Sequence, residues 1–184
     1  NMLAWLLDPN ENHGLGDAFL KCVFQRLIEK DDIGRYDIFN ILLCDMDSFS
    51  VYREWKNIDI LLISQEEKIV FAIENKVGSH EHSNQLNRYR KILESEYSDY
   101  NRIYVFLTPD GESPSDVENW DVLTYMDIVE ILENLKKRVK FQSDVSVMID
   151  NYIEIIRRDI VEDQQLIEIC NRIYNKHRKA LDLI

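Results

Sequence analysis

No stretch of the chain approaches the ~20 consecutive apolar residues that a membrane-spanning helix needs. The first residues also lack the basic region and apolar stretch of a secretory leader. Neither a membrane partner nor export is therefore expected. Cysteine is scarce: Cys22, Cys44 and Cys170 stand far apart. An odd, scattered set argues against a disulfide framework or a zinc site and for core thiols in a reducing compartment, so the expected location is cytoplasmic. No internal repeat or low-complexity segment is present. Positive charge is in deficit, with a formal net charge of −12. That excludes a protein that simply coats nucleic acid through a basic face. It does not exclude an enzyme that meets nucleic acid through a metal ion, because a cation held by carboxylates reverses the local sign. What is present is globular: 45% of 184 residues are hydrophobic, enough for one domain with a proper core.

Hydrophobic periodicity gives the order of elements. Leu15, Ala18, Phe19, Cys22, Val23 and Leu27 recur at helical spacing, which predicts a helix from Leu15 to about Glu29. "SFSVYREW" (Ser48–Trp55) reads as a strand. "NIDILLIS" (Asn57–Ser64) and "KIVFAIENK" (Lys68–Lys76) read as a hairpin across the polar turn "QEE". A helix follows over Ser83–Glu96, with Leu86, Tyr89, Arg90 and Leu93 on one side. "RIYVFL" (Arg102–Leu107) and "WDVLTY" (Trp120–Tyr125) are two further strands. Thr124 with Asp127 resembles a capping box. Three helical faces then appear, around Ile128–Leu135, Val145–Ile156 and Leu166–Leu181. The pattern predicts an α/β sheet domain over residues 1–125, with a helical extension over 126–184 packed on it or on a partner.

The hairpin carries the chemistry. Glu74 and Lys76 are two apart, so they share one face at a strand end. Asp59 lies inside an apolar run, where an acid is costly unless paired or bound to a metal. If the two runs pair across their turn, Asp59 comes beside Glu74. Two carboxylates at a sheet end suit Mg²⁺ or Mn²⁺. A neighbouring lysine suits holding a water or stabilising charge on a phosphate oxygen.

Asp59, then Glu74-Asn75-Lys76 fifteen residues later, resembles the PD-(D/E)XK nuclease superfamily. Gln85 and Tyr89, spaced QxxxY, are similar to its RecB-like branch. "WLLDPNENHGLGDAFL" resembles the start of an uncharacterised bacterial group within it. The resemblance spans about Leu3 to Tyr125; it departs from the motif in having Ile58, not proline, before Asp59. It implies a restriction-endonuclease-like core, a central mixed β-sheet flanked by helices. It implies Asp59 and Glu74 as metal ligands, with the Asn75 backbone carbonyl beside them and Lys76 assisting hydrolysis. His13, near the first helix, is the matching candidate for a further ligand. Gln85 orients the site or a phosphate in this reading, and Tyr89 supports it.

Plainer readings stand beside these. Glu74 and Lys76 also read as a solvated strand end, Asp59 as a satisfied core carboxylate, Tyr89 as core and His13 as a helix cap. Asp17 is a rival ligand, and Glu54 an acidic neighbour at the end of the preceding strand. His80 and His82 read as solvent-facing loop residues; Lys136-Lys137 and Arg157-Arg158 read as solvated helix faces. The expectation is a Mg²⁺-dependent nuclease, with Mn²⁺ able to substitute, acting on DNA. A nuclease-fold binding module without turnover, or a structural domain of a larger assembly, is the alternative. DNA against RNA, and ends against interior, stay open. The last helical pattern is still apolar at Leu181, Leu183 and Ile184, with no capping residue. That predicts a longer protein, or a helix that docks on a partner subunit, as in a homo-oligomer.

Overall fold

The apolar opening forms helix α1 (Met2–Leu7), capped by Asn1, whose side-chain oxygen accepts from the amides of Leu3 and Ala4 at 3.1 and 3.4 Å. The structure, a computed structural model, describes residues 1–31, 34, 36, 38–77, 84–162, 166, 169, 170, 172–174 and 176. Outside the described residues lie His80, His82 and the terminal Leu181, Leu183 and Ile184. Helix α2 (Ala18–Lys30) begins three residues later than the apolar spacing predicts. Gly14 and Gly16, with φ of +71° and +52°, hold the chain in left-handed turns that a helix cannot include. Helix α3 (Ile38–Leu43) and a 3₁₀ turn (Met46–Ser48) lead into the sheet.

Strand β1 (Ser50–Trp55) pairs antiparallel with β2 (Ile58–Ser64), and β2 pairs antiparallel with β3 (Ile69–Asn75). Helix α4 (Gln85–Glu96) then crosses over to β4 (Asn101–Thr108), which lies parallel to β3. Strand β5 (Asp121–Thr124) extends the sheet in parallel, giving the order β1-β2-β3-β4-β5. The sheet is therefore mixed. The last strand runs into α5 (Tyr125–Arg138), which is followed by α6 (Ser143–Ile155) and a wider π-helical stretch (Ile156–Glu162).

The strand period of two divides the core into two layers. Ile60, Leu62, Phe71, Ile73, Val105 and Leu107 face α1, α2, α5 and α6. Leu61, Val70, Ala72, Tyr104 and Phe106 face α4, which buries Leu86, Tyr89 and Leu93. This is an α/β restriction-endonuclease-like architecture, a five-stranded mixed sheet with helices on both faces. Asp127 ties α5 to α2. It completes the capping box with Thr124 and accepts from Arg26 at 2.6 Å and Lys30 at 2.5 Å. Burial alone would raise its carboxyl, but the bonds from Lys30, Thr124 and Arg26 outweigh burial and hold it below the ordinary value.

One expectation needs correction. Cys44 is buried and Cys22 half-buried, but Cys170 is exposed and is not a core thiol. Its neighbours Leu166, Ile169, Ile173 and Tyr174 are exposed too, between 44% and 59%. The described residues of the third apolar face are thus exposed, which agrees with either packing that the sequence left open for the helical extension.

Candidate active site

The β2–β3 ladder ends at the pair Ile60–Ile73. One step further along this register Asp59 stands opposite Glu74, on the face covered by α4. Asp59 does not continue the ladder through its backbone. Its Oδ2 accepts from the Asn75 amide at 2.8 Å, so a carboxylate takes over where the strands part. On the far side of β3, Asn75 turns its side chain to the other layer, where Tyr125 donates to Oδ1 at 2.6 Å. Burial pushes the Tyr125 hydroxyl up to about 12, so it stays protonated and able to donate. Lys76 closes the strand end, its amide donating to the Leu107 carbonyl at 2.8 Å.

Glu74 and Lys76 are 2% and 7% exposed, so both charges are withdrawn from water. A solvated strand end does not describe them. Lys76 Nζ donates to Glu74 Oε1 at 2.7 Å and to Gln85 Oε1 at 2.9 Å. The Gln85 amide donates to Glu74 Oε1 at 2.8 Å and to the Tyr89 hydroxyl at 2.8 Å. Tyr89 donates in turn to the carbonyl of Asn57 in the β1–β2 turn. The orientation of the Gln85 amide is forced, because a flip would press its NH₂ against the lysine ammonium. The spacing of Gln85 and Tyr89 is one helical turn, which puts both on the sheet-facing side of α4. The helix thereby locks the strand end by side chains alone.

Among the described residues, Glu74 Oε2 is buried and has no hydrogen-bond partner. A buried, unsatisfied carboxylate oxygen is costly. The carboxyl is accordingly held above its ordinary value. Burial is the main cause and the nearby Asp59 charge adds to it, while the bonds from Lys76 and Gln85 oppose the shift. A divalent cation at Oε2, shared with Asp59, would remove both penalties. The donor set fits such an ion: hard oxygens from two carboxylates, with the Asn75 carbonyl next in the chain. Among the described residues no three His, Cys, Asp or Glu side chains converge. A cation held here would take the rest of its ligands from water or substrate, as Mg²⁺ commonly does.

His13 stands elsewhere. The His13 ring is buried, accepts from the Leu15 amide at 3.0 Å through Nδ1, and is 2.8 Å from the Asp8 carbonyl through Nε2. Both nitrogens are thus engaged by the backbone of the loop before α2. Asp17, the rival ligand, pairs with Lys21 instead. Glu54 is exposed at the end of β1 with φ of +55°; the register places it across from Asp59. Two participants escaped the sequence reading, the Asn57 carbonyl and the Tyr125 hydroxyl. Asn57 carries a signal, since asparagine suits the left-handed φ of +69° that the two-residue turn requires. The Tyr125 contact has none, because it crosses from β3 to α5.

A family model described as the PD-(D/E)XK nuclease superfamily matches residues 1–176. The match runs beyond the Leu3–Tyr125 span of the motifs and takes in α5 and α6. No curated protein and no solved structure matches the chain.

Proposed function

The chain belongs to the PD-(D/E)XK nuclease superfamily, and on that premise we propose that it is a metal-dependent nuclease hydrolysing phosphodiester bonds in DNA. The observation that carries the proposal is the division of labour at Glu74. Its Oε1 is taken by Lys76 and Gln85, while Oε2 is buried and unpartnered beside Asp59. Asp59 and Glu74 would hold Mg²⁺, or Mn²⁺ in its place, with the Asn75 carbonyl. When bound, that ion supplies Lewis acidity at the phosphate and a lowered pKa for a coordinated water. Lys76 carries a fixed positive charge at the strand tip, where it orients the attacking water or stabilises charge gathering on the phosphate. Gln85 keeps the lysine and the carboxylate in register, and Tyr89 anchors Gln85 to the β1–β2 turn. The exposed residues Leu166, Ile169, Ile173 and Tyr174 support a contact with a second copy or a further protein region.

The test is incubation with linear and circular DNA in Mg²⁺, Mn²⁺ or EDTA, for wild type and Glu74→Ala. Cleavage with either ion, lost in EDTA and in the variant, is the expected result. Binding of DNA without cleavage under every condition would favour a binding module that has lost turnover.

A further inference from the structure

A groove of about 730 Å³ lies between the outer face of α4 and the β1–β2 turn. Its walls include Lys56, Asn84, Asn87, Arg88 and Lys91. Both walls are tied to the candidate site. Lys56 precedes Asn57, whose carbonyl receives the Tyr89 hydroxyl. Arg88 lies 5.3 Å over the Tyr89 ring, and Asn84 precedes Gln85. On a chain with net charge −12, this groove is locally basic. Its acid, Glu96, is paired with Lys56. Arg88 and Lys91 are exposed and have no carboxylate partner among the described residues. Another concavity, about 770 Å³ between α5, α6 and the π-helical stretch, differs on this point. There Lys136 pairs with Asp150, Arg157 with Glu133 and Arg158 with Asp159, so three of its four cations are already neutralised and, among the described residues, Lys137 alone reaches only the Asn134 amide.

We propose that this α4 groove is the track for the phosphodiester backbone of one DNA strand, with Arg88 and Lys91 as its phosphate contacts. The inference rests on the nuclease reading and adds where the substrate lies. The two cations are three residues apart, ~4.5 Å along the helix axis. That is comparable to the ~3.4 Å rise between charges on one strand of a duplex, so neighbouring phosphates can be met by one residue each. Phosphate contacts of this kind fix register without reading sequence. From Lys91 the track runs along α4 toward Gln85, the residue that holds Glu74 and Lys76.

The experiment is anisotropy of a short fluorescein-labelled single-stranded DNA with the full chain, in EDTA, across a salt series. Wild type is expected to bind with a log K that falls linearly with log salt. Arg88→Ala/Lys91→Ala should bind more weakly, with a slope shallower by about 1.4, since each lost single-strand contact removes ~0.7. In Mg²⁺ its KM for cleavage should rise while kcat holds, the mark of lost uniform binding. Arg88→Lys/Lys91→Arg should restore the slope, and Lys136→Ala/Lys137→Ala should leave it unchanged. An unaltered slope in Arg88→Ala/Lys91→Ala, with cleavage intact, overturns the groove and leaves the nuclease reading standing. So does a shallower slope in Lys136→Ala/Lys137→Ala alone. A wild-type chain that neither binds nor cleaves DNA overturns both.

Discussion

Lys76 and Glu74 depend on one another, and the dependence makes opposite demands on stability and on chemistry. Replacing Lys76 by Met keeps its volume but leaves the Glu74 charge buried without its cation, a change that costs about 3–5 kcal/mol when a buried pair is broken. Lys76→Met should therefore melt earlier in EDTA. In Mg²⁺ its cleavage should fall by about 10²–10³-fold, the usual loss for one positioned donor, while metal binding persists. Cleavage at the wild-type rate would sink the role given to the lysine. Glu74 makes a separate demand on pH. Its carboxyl is raised from 4.5, first by burial. Below 4.5 both folded and unfolded states are protonated and the group has no effect. As pH rises the unfolded chain loses its proton first, so this residue's contribution falls until the folded value is passed. A cation favours the charged form, so Mg²⁺ should pull the titration midpoint down. Carboxyl ¹³C shifts of Glu74, followed against pH in EDTA and in Mg²⁺, check both directions; a midpoint that Mg²⁺ does not move would remove Glu74 from the metal site. The juxtaposition of Asp59, Glu74, Lys76, Gln85 and Tyr89 was legible because strand and helix periods fix which side chains share a face. Asn57 and Tyr125 were not, since a backbone acceptor and a contact across the sheet leave no spacing to read. His13 was ambiguous for a related reason: a histidine bonding the amide two residues on looks, in sequence, like any histidine beside a helix.

Helix α4 shows how an element carries a site without supplying its charge. Leu86, Tyr89 and Leu93 recur at helical spacing, so the helix and its buried face could be read directly. Arg90, expected on that side, instead reaches Asp116 and Glu94 at the edge. Leu93 is fully buried two turns beyond Gln85 and makes none of the site's hydrogen bonds. Leu93→Ala is expected to cost about 2–5 kcal/mol by lost burial and the cavity left behind. Loosening α4 should also lower kcat, because Gln85 holds both Glu74 and Lys76 from its first turn and small misplacements are costly to rate. Chemical denaturation and steady-state cleavage measure the two effects on one variant. A large stability loss with unchanged kcat would mean that the helix does not position the site. Other elements were less legible. The early turns at Gly14 and Gly16 shortened α2. The short α1 passed unnoticed because six residues hold too little periodicity to register. The apolar spacing of Leu166, Ile169 and Ile173 is real, but periodicity marks a face and not what covers it.

At the scale of the whole molecule, the net charge of −12 and the close approach of Asp59 to buried Glu74 pull in one direction. The folded chain keeps a carboxylate oxygen of Glu74 in its interior, unpartnered and near Asp59, and this opposes folding whenever the site is without a cation. The unfolded chain disperses the same carboxylates in water and has no comparable site. A cation that binds the folded state alone stabilises it by mass action, about 2.7 kcal/mol at one hundred times its Kd. For a chain of this length each kcal/mol corresponds to about 2–4 °C in Tm. Saturating Mg²⁺ or Mn²⁺ should then raise Tm by roughly 5–10 °C over EDTA. Asp59→Asn and Glu74→Gln should each remove most of that rise. Surface screening by the same salt acts on every carboxylate alike, so it would persist in both variants. Thermal melts of the three proteins, with Mg²⁺ set against an equal ionic strength of NaCl, separate the two contributions. A rise that survives in Glu74→Gln would assign it to screening, and the acidic pair would lose its claim to the metal.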